Sequence, residues 1–421
     1  MEQAEMKKVL LPAMASLILP SSLLAGGYKI PEQSVNATAL SAAYVANAHG
    51  PDAAYYNPAA MVFNEDRSLL EADLSLIHLT GIDFNGSAFG TSFKDETKKE
   101  NFLIPTFHYT SPAVGKMRFG LSLVGPAGLT KRWKGTAEAA AEEFTLRSYE
   151  ANPTIAFQLH ESISVAAGFR VIYSDGAVKS SSSATAAVPI GRDMDGDSID
   201  YGYNLALLVR PFDNLSLAAT YRSKVWLTIT GDADLEFPAV PALNYSGNLK
   251  VDVPIPASLN LAAAYTFNNN RTTAEIVFER TFWSAFNKLD FDYGVAFNAA
   301  PFAAFDAPGT KNWNNSDTYR LGITHQLNDK WTLMGGFAYD NTPIQKKYIG
   351  YELPDSDAIM FSVGAKHKYS DSLTIGGAFL YDRKKELKLD AGDQNINAGG
   401  IVGKFKDAAA YFLTIGIEYK F

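Results

Sequence analysis

Apolar residues along most of this chain recur at every second position. Counting back from Phe421, Tyr419, Ile417, Ile415, Leu413 and Tyr411 are apolar or aromatic, whereas Lys420, Glu418, Gly416, Thr414 and Phe412 between them are mostly polar or small. Side chains of a strand alternate between its two faces. This segment therefore predicts a strand with lipid on one face, a lumen on the other and aromatics at both membrane interfaces. The pattern recurs. Phe119-Leu121-Leu123 alternates with Gly120 and Ser122. Leu205-Leu207-Val209 precedes the turn Pro211-Phe212-Asp213-Asn214, and Leu215-Leu217-Ala219-Tyr221 follows it. Leu259-Leu261-Ala263-Tyr265 leads to Asn268-Asn269-Asn270, and Leu321-Ile323 leads through Asn328-Asp329 to Trp331-Leu333-Gly335-Phe337-Tyr339. Phe361-Val363-Ala365 leads through Ser370-Asp371 to Leu373-Ile375-Gly377-Phe379-Tyr381.

Gaps of two to four polar residues alternate with long ones, at roughly 80–101, 126–143, 180–200, 231–245, 297–314, 341–357 and 386–408. Short turns at one end and long loops at the other fit an outer-membrane barrel. The expected fold is all-β: a transmembrane antiparallel β-barrel of about 14 strands over residues 68–421, an even number as such barrels require. A soluble propeller would show a blade repeat, and none is visible. No stretch reaches 18 consecutive apolar residues, so no transmembrane helix is expected.

Residues 1–25 do not alternate. Lys7 and Lys8 precede an apolar run from Val9 to Leu19, mildly broken by Pro12, and Ala25 offers a small residue for cleavage. These are the parts of a secretory signal peptide, and the run is too short to span a bilayer. Met6 is a plausible alternative start to Met1. Residues 26–67 also lack alternation and are rich in Ala, Asn and Gly; Ala37 to Ala43 reads as a short helix. A barrel does not need these residues, so they are expected to fold inside the lumen as a hatch, or plug.

Composition changes the picture only by exclusion. The chain has 421 residues, 12% aromatic and 19% charged, with no Cys and a net charge of −8. Without Cys there is no disulfide framework, thiolate zinc site or iron–sulfur cluster. An acidic chain without a basic stripe argues against nucleic-acid binding. His49, His78, His108, His160, His325 and His367 show no metal-ligand spacing. Asp193, Asp195, Asp197 and Asp200 read as an acidic external loop, not in EF-hand order. Gly196-Asp197-Ser198-Ile199 mimics a lipase motif, but no His follows with an Asp three before it. Neither a P-loop nor a dinucleotide fingerprint is present. No cofactor, metal or catalytic site is expected.

Short motifs then give a resemblance. Gly27-Tyr28-Lys29-Ile30 with Glu32 and Ser34, followed by Asp52 and Tyr55-Tyr56-Asn57-Pro58-Ala59, resembles the hatch of the FadL family of long-chain fatty acid outer-membrane transporters. Gly125-Pro126-Ala127-Gly128-Leu129 with Trp133 looks like that family's kinked third strand. Thr220 to Val225, Pro254 to Leu259, Glu275 to Phe286, Asp317 to Gly322, Tyr339 to Pro343 and Leu353 to Asp357 continue the resemblance in order. The terminal Phe421 resembles the signature through which such barrels reach the barrel assembly machinery.

The resemblance implies a monomeric channel in the outer membrane of a Gram-negative bacterium, set in lipid and lipopolysaccharide. It would take up long-chain fatty acids passively, or other hydrophobic compounds such as aromatic hydrocarbons. It implies Tyr28, Lys311 and Lys179 at the ligand, Leu129 and Trp133 on a loop 129–143 that captures it, and Thr136 capping a helix there. It implies that Asn57, Pro58 and Ala59 pack the hatch near a wall break at Gly125, Pro126 and Gly128, which would release ligand sideways. Pro cannot donate to a ladder and Gly weakens a strand, so such a break is physically reasonable. Arg222 and Arg320 lie within strands and should face the lumen, because charge on the lipid face costs ~2–4 kcal/mol at mid-bilayer. A general porin, which lacks a plug, and a barrel enzyme or adhesin are the competing classes.

Overall fold

The structure, a computed structural model, describes residues 26–267 and 270–421. The expected signal peptide, residues 1–25, and Asn268-Asn269 of one predicted turn lie outside these residues. Among the described residues, fourteen antiparallel strands close into a barrel. They are β1 Leu69–Leu79, β2 Glu100–Thr110, β3 Met117–Val124 with Gly128–Lys131, β4 Glu143–His160 and β5 Ile163–Ser181. Next come β6 Gly191–Phe212, β7 Leu215–Arg222 with Val225–Glu236, β8 Tyr245–Ile255 with Ser258–Thr266 and β9 Thr272–Thr281. The last five are β10 Ser316–Gln326, β11 Trp331–Asp340, β12 Ala358–Lys368, β13 Leu373–Lys384 and β14 Ala409–Lys420. Each strand pairs with the next, and β1 pairs with β14 from Leu69↔Lys420 to Leu79↔Ala410. The sheet thus closes on itself, as a lipid-spanning sheet must.

The alternation sets which face meets lipid. Tyr411, Leu413, Ile415, Ile417 and Tyr419 of β14 are exposed outside, while Phe412 and Thr414 are buried inside. The gaps read from the sequence at 180–200 and 231–245 are shorter than expected, the second shrinking to 237–244. The 180–200 gap shrinks to a connection at 182–190, because β5 and β6 run on together beyond the membrane and pair as far as Ser181↔Gly191. The acidic residues 193–200 are therefore strand rather than loop, and no cluster fit to hold a metal occurs among the described residues. Outside the barrel, Asp83–Ala88, Thr91–Glu96, Leu387–Leu389 and Val402–Lys406 form a separate four-stranded sheet at the long-loop end.

Residues 26–67 fill the lower lumen. Helix α1 is Val35–Ala39, capped by Ser34 Oγ accepting from the Ala37 amide at 3.1 Å. It begins and ends earlier than the sequence suggested, because Ser41 and Ala42 take positive φ and turn the chain. Helix α2 is Ala53–Tyr56, and a 3-10 turn spans Pro58–Phe63. Wall side chains hold this hatch. Glu275 accepts from the amides of Val45, Ala46 and Asn47 at 2.7, 2.6 and 3.1 Å. Arg320 donates to Ser41 O at 2.8 Å and to Glu279 at 3.0 Å. Arg320 thus faces the lumen as its strand position demands, and so does Arg222, which pairs with Glu150.

Candidate functional site

The site begins where β3 breaks. β2 and β3 pair only from Phe107↔Leu123 to Thr110↔Gly120, and Gly128–Lys131 pairs with β4 but not with β2. Pro126 supplies no amide, and the chain turns inward there. The hatch takes over the missing bonds. Ile30 N donates to Pro126 O at 3.0 Å and Gly128 N to Tyr28 O at 2.9 Å, with a bridge between Lys29 and Ala127. The Gln33 amide makes two bonds to Gly125, one to its O and one from its N, both 2.9 Å. Ser148 exchanges two more with Ala127. A backbone that left the wall is thus fully satisfied inside, as a buried backbone must be.

Above this strap lies an aromatic cluster. The Tyr28 ring centroid is 4.7 Å from that of Trp283 and 6.0 Å from that of Trp313, and Trp313 is 4.9 Å from both Trp283 and Phe286. Lys311 is buried two residues from Trp313 and forms an ion pair with Glu352. The Trp283 and Trp313 indole nitrogens are buried without a hydrogen-bond partner. Buried N–H groups normally have one, so this aromatic cluster holds two unused donors, and Lys311 precedes Trp313 by two residues in the same connection. Higher in the lumen, Leu146, Val178, Met194, Ile229, Leu249 and Phe291 line an apolar cavity of about 40 Å³. Below it, Lys29, Tyr55, Pro58, Pro126, Arg170, Leu205 and Arg222 are among the residues around a polar cavity of about 80 Å³. Arg170 and Arg222 both pair with Glu150 there, and the Arg222 guanidinium lies 4.3 Å above the Tyr55 ring. Both cavities are far below the ~300–1,000 Å³ of a ligand pocket. A third cavity, of about 190 Å³, lies between the hatch and the wall at Leu40, Tyr44, Lys366 and Glu418, and it too is below that range.

The structure brings Tyr28 and Lys311 into one region, and places Gly125, Pro126 and Gly128 at the wall break. Asn57 caps the Pro58 turn, its Oδ1 accepting from Ala59 N at 3.2 Å, and its Nδ2 donates to Val45 O at 2.9 Å. Ala59 O accepts from Ser164 of β5, and Pro58 shares the polar cavity with Pro126. Lys179 is not brought to the others. It occupies an outward position of β5 beyond the membrane, 2.6 Å from Asp193. Leu129 and Trp133 are buried rather than displayed, and Trp133 Nε1 donates to Tyr351 O at 2.7 Å. The predicted capture helix is only the four residues Glu138–Ala141. Thr136 caps nothing, and the Ala137 amide donates to Asp95 instead. The sequence reading missed Trp283, Trp313, Arg170 and Glu150. The two Trp lie in or near quoted motifs, but their unused donors are visible only in three dimensions.

A closed barrel with an internal hatch, an apolar upper lumen and a broken wall strand defines an outer-membrane channel for hydrophobic solutes. The family model described as outer membrane protein transport protein (OMPP1/FadL/TodX) matches residues 16–421, and the chain belongs to that family. It is 24% identical over 299 residues to the long-chain fatty acid transport protein of Salmonella typhi, covering 62% of this chain and 65% of that one. The chain thus spans just under two thirds of that relative. To the Escherichia coli K12 protein of the same name it is 23% identical over 330 residues, or 66% and 70% of the two chains. Among solved structures, a Pseudomonas aeruginosa FadL homologue aligns with a TM-score of 0.81 at 20% identity, covering 94% of this chain and 100% of that one. The P. putida toluene transporter TodX aligns at 0.70 and 16%, covering 92% and 98%. These two share the fold. The chain is thus a member of a family of outer-membrane transport proteins.

Proposed function

We propose that this channel takes up long-chain fatty acids passively, binding them in the lumen and releasing them sideways at the bend in β3. The unused indole donors of Trp283 and Trp313, with Lys311 in the same connection as Trp313, carry this reading. A carboxylate satisfies such donors, and a charge-assisted hydrogen bond is about twice as strong as a neutral one. An aromatic hydrocarbon leaves them unused. The acyl chain suits the apolar residues above, since each buried CH₂ contributes about 0.8 kcal/mol. Capture begins on exposed apolar loop residues, for which Val240, Leu243 and Val295 near Tyr245 are the best placed. Glu352, now paired with Lys311, gives way to the incoming carboxylate. The ligand then moves down to the strap at residues 28–33, which must leave Gly125–Gly128 before the wall opens.

The deciding experiment compares oleate with toluene in Lys311→Ala. Oleate uptake falls while toluene uptake stays level; equal losses, or no loss of oleate uptake, count against a carboxylate ligand. Deleting Gly125–Gly128 lowers oleate uptake at least about tenfold while the barrel still assembles, because the side exit is the conformational gate. Unchanged uptake by the folded deletion would sink lateral release. Mass spectrometry of co-purifying lipid offers an independent check on the ligand.

A further inference from the structure

The wall is interrupted a second time. β6 and β7 pair from Leu215↔Phe212 to Arg222↔Asn204, then resume only at Thr230↔Asp197. No register pair joins residues 198–203 to 223–229, and one backbone bond remains at the lower end, from Ser223 N to Tyr203 O at 2.9 Å. β8 is interrupted at the same level, between Ile255 and Ser258, where Pro256 supplies no amide. Side chains stand in for missing backbone partners. Tyr203 N donates to Ser223 Oγ at 2.9 Å, and Thr228 N donates to the Asp200 carboxylate at 3.2 Å. Side-chain insertion means that the strands have parted. Gly202 leaves room for Val225; a Cβ at 202 would lie 2.6 Å from Val225 Cγ2. Val225, 2% exposed, is thus the stopper of this seam.

Both faces of the seam suit an amphiphile. Outside, Ile199, Tyr201, Tyr203 and Trp226 are exposed to lipid. Tyr203 lies nine residues above Phe212 at the short-turn end, within the ~9–11 residues that cross the hydrocarbon. Inside, Arg170 donates to Ser223 O at 2.7 Å, and with Arg222 it leaves one net positive charge over Glu150. The polar cavity is lined both by Pro126 at the β3 bend and by Asn204 and Arg222, the last register pair below the seam. One internal space therefore borders both breaks.

We propose that the β6–β7 seam is a second lateral port, through which an amphiphile with an anionic head passes between the lumen and the outer leaflet, its head on Arg170 and Arg222 and its chain past Val225. The use of the port for ligand rests on the transport reading above; its opening does not.

The chain has no native Cys, so single thiols report cleanly. Val225→Cys stands behind the seam. Ala338→Cys is the control, as buried and lumen-facing but behind a ladder paired on both sides. In lipid nanodiscs a membrane-dissolved pyrene maleimide should label Val225→Cys about tenfold faster than Ala338→Cys, a difference of about 1.4 kcal/mol in opening. A water-soluble maleimide should show no such preference. In cells, joining Tyr201→Cys to Trp226→Cys with a short bis-maleimide should abolish the oleate uptake remaining in the Gly125–Gly128 deletion. The same link between Leu321→Cys and Phe337→Cys, a paired position, should leave it intact. Equal labelling rates, an absence of remaining uptake, or remaining uptake that the bridge does not touch overturns the proposal. If labelling differs but no form of the protein carries oleate, the port stands and the transport reading falls.

Discussion

Glu32 is an acid in the hatch, outside the membrane-spanning strands, and neither of its carboxylate oxygens has a hydrogen-bond partner. Burial pushes its carboxyl up to about 7, against the opposing pull of Arg320. A closed hatch therefore holds the proton more tightly than an opened, solvated one. This contribution to closure is complete below the ordinary value of about 4.5 and is lost as pH rises to and through about 7. Protection of the residue 26–34 amides, taken relative to their intrinsic exchange at each pH, is expected to fall between pH 5 and pH 8. In Glu32→Gln that fall should vanish, and an unchanged protection profile would show that another group is responsible. At this scale the sequence was partly legible. Tyr28 and Lys311 were singled out by resemblance, because their neighbours form motifs. Lys179 was grouped with them, and nothing in its surroundings reveals that β5 carries it outward, beyond the membrane. Arg170 has no motif, and its pairing with Glu150 depends on two strands whose register the sequence does not print.

The elements show how hatch and wall fit. Glycines on the lumen face of successive strands let the hatch approach closely. A Cβ at Gly322 would lie 2.9 Å from Ala43 O, and one at Gly376 would lie 2.9 Å from Val35 Cγ1. At Gly336 a Cβ would collide with the backbone of Leu40, which cannot swing aside as a side chain can. Gly336→Ala is therefore expected to loosen the hatch by about 1–3 kcal/mol, the usual cost of overpacking. The check is limited proteolysis: cleavage within 34–50 should rise, while the barrel keeps its heat-dependent gel mobility. Strand identity was the most legible feature, since one-sided lipid exposure enforces strict alternation. Strand length was not. β5 and β6 continue outside the membrane, where no lipid imposes a pattern, so the outer part of β6, residues 191–200, and the last two residues of β5 read as loop. The β3 bend was visible through Pro126 and two glycines. The β6–β7 seam was not, because it arises from a register slip between strands that each look regular.

The whole molecule is a barrel whose wall is opened and whose bore is shut. A porin of this strand number conducts through its axis; here the hatch occupies the lower lumen and the internal cavities are small. Planar-bilayer conductance is expected to be low for the intact protein and to rise when residues 26–67 are removed from a refolded barrel. High conductance of the intact protein would favour the porin class. The number of strands, the sidedness of the loops and the presence of an internal plug were all legible from alternation and gap lengths. The filling of the interior was not, since it depends on residues such as Trp283 and Trp313 packing inward from the connection between β9 and β10.

The small sheet at the long-loop end joins the first external connection of the chain to the last. Asp83–Ala88 pairs with Val402–Lys406, from Asp83↔Lys406 to Ser87↔Val402. Partners more than 300 residues apart cannot meet until nearly the whole polypeptide is present, and contacts so distant in sequence form slowly. The external cover is thus a late event in biogenesis. It sits over the junction of β1 with β14, because Asp83–Ala88 follows β1 and Val402–Lys406 precedes β14.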